Sequence, residues 1–265
     1  MHCVEVSLPT GESLRVSRHG GQVVSWQDRT GRELLYLSPL SRLQGPLPIR
    51  GGVPVCFPQF ASRGPLVKHG FARTRLWTHI PDDTPGVVRM CLTDDQESRA
   101  AWPHRFRLEL LARVQRGSLT VQLQVRNTDS TPWTFTAALH TYLRTTQLAT
   151  AVLAGLEDHQ FEDALAGVAS RRETGPDLSR ALDRVYADVQ RPLLLRDAGS
   201  ELRIEQRGFR DVVVWNPGAG GAAKLADMPA GDHRRMLCVE AAQVVTPTLL
   251  NPGEAWVGSQ TLTQA

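Results

Sequence analysis

The sequence predicts an all-β fold of antiparallel strands, and three observations point to it. Apolar residues recur at every second position over many short runs. Gly, Pro, Asn and Asp separate those runs, and helical periodicity is scarce. Many short strands without intervening long helices read as a sandwich or barrel, not a parallel α/β sheet.

In chain order, the first strands are expected at 12–17 and 22–27. Residues 38–75 then break the alternation with six prolines and five glycines. Irregular segments of this length inside compact domains are uncommon and usually functional. Strand character returns at 87–92, and residues 95–101 suit a short helix ending before Pro103. FRLELLARV at 106–114 and LTVQLQV at 119–125 alternate apolar with polar residues, and Gly117-Ser118 between them reads as a hairpin turn. Further strands are expected at 133–143, 201–206, 211–215, 235–240, 243–250 and 255–263, with a second short helix at 177–184. No internal repeat or linker-like stretch interrupts the pattern, so residues 1–265 are expected to form one domain.

Composition narrows the function. The 265 residues are 41% hydrophobic, enough for a core without disulfides. No apolar run approaches the ~18 residues that span a bilayer. The net charge is +3, and of 30 basic residues only Lys68 and Lys224 are lysine. These charges are scattered among acids, so neither a nucleic-acid partner nor a membrane surface is expected. Cys3, Cys56, Cys91 and Cys238 form no CxxC pair, and the N-terminus lacks an apolar targeting segment. A cytoplasmic protein with free thiols is the expectation.

Four stretches could carry chemistry. RGGVPVCFPQF (50–60) sets Arg50 beside Gly51-Gly52, a pair that lets backbone approach a ligand closely. By itself it reads first as a solvated surface arginine. KHGFAR (68–73) packs Lys68, His69, Phe71 and Arg73 together, a mixture suited to a phosphate or a sugar ring. ALHTYL (138–143) places His140 in a strand-like apolar run, where it is either a hydrogen-bonded structural residue or a proton carrier aimed into a cleft. MLCVEAAQV (236–244) contains Glu240; if Leu237 and Val239 face the core, Cys238 and Glu240 face the other side. The residues alone do not say that these groups converge.

Read in order, these stretches resemble the glucose-6-phosphate 1-epimerase branch of the aldose 1-epimerase (galactose mutarotase-like) superfamily. The resemblance also draws on GGQVVSW (20–26), HGFARTRLW (69–77), WPHRFRLEL (102–110), LDRVY (182–186), VVVWNPG (212–218), DMP (227–229) and PGEAW (252–256), and so spans nearly the whole chain. It implies an antiparallel β-supersandwich with few short helices and a cleft on its concave face. It further implies a mutarotase that interconverts α and β anomers of a hexose 6-phosphate, glucose 6-phosphate first among them, with no cofactor and no metal. The match to ALHTY makes His140 the general acid, and CVEAAQV makes Glu240 the general base; mutarotation chemistry then asks for the two on opposite sides of the anomeric carbon. LDRVY places Asp183 at the sugar. Arg50, Arg73, Lys68 and His69 become phosphate and sugar contacts. The chain departs from the pattern after ALHTY, where Leu143-Arg144-Thr145-Thr146-Gln147 stands. A small-molecule substrate and a monomer are expected. Two other readings stay open: a mutarotase of unphosphorylated aldoses, and a non-catalytic sugar-phosphate sensor on the same scaffold.

Overall fold

The computed structural model describes residues 2–171 and 173–264. Two eight-stranded antiparallel sheets dominate it, flanked by a three-stranded sheet of Cys3–Ser7, Ser13–Ser17 and Gln22–Gln27. One large sheet runs Val152–Ala154, Leu193–Asp197, Ser200–Arg207, Ala255–Gln264, Ser118–Asn127, Phe106–Gln115, Val87–Thr93 and Thr78–Ile80. The other runs Val168–Arg171, Phe161–Asp163, Leu182–Tyr186, Asp211–Asn216, Met236–Leu250, Trp133–Leu139 and Val55–Cys56, with Tyr142–Arg144 also paired to Met236–Leu250.

The core follows from alternation. Leu108, Leu110, Ala112 and Val114 point to one side of their strand, as do Leu119, Val121, Leu123 and Val125 of the next. They meet Phe135, Leu139, Leu237, Val239 and Ala241 from the second sheet in one buried cluster. Each fully buried Leu, Val or Phe side chain contributes ~1.5–3 kcal/mol relative to exposure. The second sheet is buried on both faces, because Cys56, Ala138, Val185, Val213 and Ala242 form a separate cluster on its far side. That far side carries the cleft described below.

Several expected elements differ in the structure. Residues 133–143 are two strands, not one: pairing stops after Leu139 and resumes at Tyr142. The gap is sealed from the opposite sheet. Gln260 accepts a hydrogen bond from the Thr141 hydroxyl (2.6 Å) and donates to the Val239 carbonyl (2.9 Å). Residues 235–240 and 243–250 are conversely one strand, Met236–Leu250, with a register shift between Gln243 and Thr248. The buried Asp211 carboxylate accepts from the Val244 and Val245 amides there (2.8 and 2.9 Å), supplying partners that the ladder lacks.

The helix at 95–101 is present as Gln96–Ala101, capped by Asp95 and Ser98. The one expected at 177–184 is absent. Asp177 folds back on the Ser179 amide and hydroxyl, a turn that competes with a helical start, and residues 182–186 pair in register with 212–216. A five-residue helix, Gly218–Ala222, went unread because it is built from glycine and alanine. Among the described residues, no helix is long and apolar enough to cross a membrane.

Candidate active site

The cleft rests on neighbouring strands whose cross-strand partners build its floor. Asp183 stands opposite Trp215, Trp215 opposite Cys238, and Cys238 opposite Tyr142; in the next row Val213 stands opposite Glu240. His140 occupies the gap between two strands, its amide donating to the Pro54 carbonyl at 2.9 Å. The proline-rich segment thus lies along the broken strand edge and completes it. The result is a cavity of about 160 Å³ lined by Arg50, Lys68, His69, Arg73, His140, Asp183 and Glu240. These are the seven side chains singled out from sequence, drawn from five separate stretches of chain.

His140 and Glu240 touch: Nε2 lies 3.3 Å from Oε1, with both side chains buried. They therefore stand side by side, not on opposite sides of a substrate carbon. Burial pushes the Glu240 carboxyl well above its usual range, and nearby Asp183 adds to this, while Arg73 and Lys68 oppose it. Burial pushes His140 well below its usual range, helped by His69, Arg73 and Arg50. These surroundings favour a carboxylic acid beside a neutral imidazole. That pair holds as many protons as a carboxylate beside an imidazolium, and the short contact lets the proton pass between them. Glu240 Oε2 and His140 Nδ1 have no hydrogen-bond partner among the described residues. Buried polar groups without partners are uncommon and costly, about 1–3 kcal/mol each. This floor is built to meet a polar ligand.

Aromatic rings hold the pair in place. Tyr142 stacks on His140 with centroids 4.8 Å apart and planes 12° from parallel, and Trp215 meets both rings edge-on. Burial also raises the Asp183 carboxyl, with Lys68 opposing.

The cations differ from one another. Arg50 Nε lies 3.2 Å from both oxygens of Asp227, and Nη1 donates to the Tyr142 hydroxyl at 3.0 Å. Asp227 and Tyr142 thus hold its guanidinium firmly charged against burial. Arg73 donates from Nη2 to the Lys68 carbonyl, and its Nε has no partner among the described residues. Lys68 is exposed at the rim, with no ion pair among the described residues.

The close backbone approach expected at Gly51 and Gly52 is made to the protein itself. A Cβ on Gly51 would sit 2.4 Å from the Tyr36 carbonyl, and one on Gly52 2.1 Å from that of Val23. Both adopt positive φ, which suits glycine. Sequence reasoning also passed over Tyr142, Trp215 and Asp227 as site residues. The first shares a face with His140 by alternation, so parity could have found it. Asp227 opens the DMP stretch of the resemblance, but it lies 177 positions from Arg50 and nothing local tied the two together.

Comparison with known proteins gives the family and the fold. The aldose 1-epimerase family profile matches residues 2–263. A relative from Cenchrus ciliaris, provisionally named glucose-6-phosphate 1-epimerase, is 35% identical over 91% of this chain and 78% of its own length. One from Salmonella typhimurium with the same provisional name is 31% identical over 86% and 79%. A crystal structure from Salmonella typhimurium, provisionally described as a mutarotase, superposes with a TM-score of 0.89 at 25% identity, covering 99% of this chain and 90% of that one. The cleft thus sits in a galactose mutarotase-like supersandwich, and the chain belongs to the aldose 1-epimerase family.

Proposed function

We propose that the protein interconverts the α and β anomers of a hexose 6-phosphate, glucose 6-phosphate first among them, with His140 and Glu240 moving the protons. The observation that carries this reading is the buried contact between an imidazole and a carboxyl group within one cavity bordered by guanidinium groups. Ring opening takes a proton from O1 and delivers one to O5. Both oxygens are bonded to C1, so neighbouring acid and base suit them better than separated ones. Glu240 as carboxylate accepts the O1 proton while the His140 imidazolium gives its proton to O5. The C1–O5 bond breaks and C1=O1 forms. After rotation about C1–C2, the 5-hydroxyl returns a proton to His140 as it attacks C1, and Glu240 returns one to O1. Each transfer contributes ~10²–10⁴-fold.

Arg50, Arg73 and Lys68 anchor the phosphate away from C1, so remote binding energy sets the ring against the pair. Asp183 and His69 face the sugar. We further propose that residues 1–265 act as one unit, a cytoplasmic monomer. The unpaired thiols of Cys56, Cys91 and Cys238 inside the fold support a reducing compartment.

Anomer exchange of glucose 6-phosphate, followed by NMR saturation transfer, tests the reading. Unaltered protein is expected to speed exchange, and Glu240→Gln to slow it by at least ~10²-fold while folding normally. Near-normal exchange by Glu240→Gln would remove Glu240 from the chemistry.

A further inference from the structure

Between the phosphate-binding groups and the proton-moving pair lies a second histidine, His69, whose surroundings define its chemical state. His69 has a positive φ of 67°, unusual for a residue with a side chain. The neighbouring Gly70 allows it: its φ is 68°, and a Cβ there would lie 2.1 Å from the Phe57 carbonyl. The chain thus comes too close to itself for any other residue to follow His69.

That backbone turn sets up a reciprocal clamp with Ala61. The His69 amide donates to the Ala61 carbonyl at 2.9 Å, and the Ala61 amide donates to His69 Nδ1 at 3.3 Å. A backbone amide is a donor and nothing else, so Nδ1 must be the accepting nitrogen. Cys56 Sγ lies 3.3 Å from the same Nδ1, and with Nδ1 accepting, the thiol must be the donor. Cys56 is fully buried, and burial raises its thiol so that it keeps its proton. Two hydrogens therefore converge on Nδ1, and the ring proton belongs on Nε2. Nε2 has no protein partner among the described residues, and the ring lines the cavity.

The surroundings also oppose a second proton. His69 is buried against Phe60, which meets it edge-on at 5.0 Å, and against the His140 ring at 5.4 Å. Burial, helped by the positive charges of Arg73, Lys68 and Arg50, lowers it to about 3. No carboxylate pairs with it among the described residues.

We infer that Cys56 and the Ala61 amide hold His69 as a permanently uncharged donor whose Nε2–H meets a substrate oxygen, leaving His140 as the one histidine in the cleft that exchanges protons. Cys56 is in these terms a positioning residue. The inference deepens the mutarotase reading and rests on it for the substrate oxygen, although the state of the ring does not. The device suits the chemistry. A neutral donor orients the sugar without competing with His140 for the mobile proton, and without adding a third fixed charge beside Arg73.

Ring-nitrogen NMR on the full chain, with the His69 signals assigned by their loss in His69→Gln, tests the state directly. The expected result is an unprotonated Nδ1 and a protonated Nε2, unchanged between pH 8 and pH 5. A proton on Nδ1, or uptake of a second proton near the ordinary histidine value of ~6.5, overturns the inference. Cys56→Ser should preserve this signature, and Cys56→Ala should mix in the Nδ1–H form. Identical spectra from the two variants remove Cys56 from the device. In glucose 6-phosphate exchange, His69→Gln offers an amide N–H near the position of Nε2 and should stay within about tenfold of the unaltered protein. His69→Leu should lose ~10²-fold or more. Equal losses from both overturn the donor role. Absence of exchange by the unaltered protein would end the mutarotase reading and leave the nitrogen signature as a separate, still decisive result.

Discussion

Two arginines border the cleft, and they differ in how many of their donors are already spent. Arg50 gives Nε to Asp227 and an Nη1 hydrogen to Tyr142. Arg73 keeps Nε unpaired among the described residues. A charged donor to an oxyanion contributes about 1.5–3 kcal/mol, or roughly ten- to hundredfold in affinity. Arg73→Ala should therefore raise KM for glucose 6-phosphate by that factor and leave KM for free glucose nearly unchanged. Steady-state rates with both sugars check it, and equal losses would show that Arg73 does not hold the phosphate. Asp227 enters the same comparison from the other side. It cancels part of the Arg50 charge but fixes the guanidinium, and through the Tyr142 hydroxyl it fixes the ring that stacks on His140.

At the scale of elements, the strand Met236–Leu250 shows what the sequence could and could not reveal. Its parity was legible: Leu237 and Val239 enter the core and Glu240 faces the cleft, as strict alternation requires. Its continuity was not, because the register shift is satisfied by Asp211, a residue on another strand. Asp211→Ala would leave the buried Val244 amide and the part-buried Val245 amide without this acceptor and should cost about 1–3 kcal/mol by urea denaturation. A loss under 1 kcal/mol would mean that the ladder closes without it. The same limit explains the misread helix at 177–184, where pairing of Leu182–Tyr186 with a strand thirty residues onward decides the conformation. Propensity acts locally, whereas sheet membership is decided by partners that are remote in the chain. Gly51-Gly52 was legible as a close approach, but the sequence did not say that the protein's own carbonyls were being approached. The seven cleft residues were legible because several short patterns in one order resembled a family; composition and periodicity alone left them scattered.

For the molecule as a whole, the cleft sets the response to mild acid. Between pH 6.5 and 4.5 the unfolded chain carries Glu240 as carboxylate and His140 as imidazolium. The folded pair holds the same number of protons however it shares them, so the two contributions cancel. His69 does not cancel: its folded value is about 3 against an ordinary 6.5. The unfolded chain binds the extra proton first, so stability present above pH 6.5 is lost as pH falls toward 3, at ~1.4 kcal/mol per pH unit. Unfolding free energy measured in urea should fall by about 2 kcal/mol from pH 6.5 to 5 through this residue. His69→Gln should flatten the profile by that amount, and parallel profiles would show that the ring titrates normally in the folded state. The two sheets are also joined where it matters most. Gln260 reaches across the core to Thr141, the residue that follows His140, from 119 positions further along the chain. That stitch makes the bend beneath His140 depend on Ala255–Gln264, a strand of the opposite sheet, so what steadies the cleft floor is supplied by a residue outside its lining.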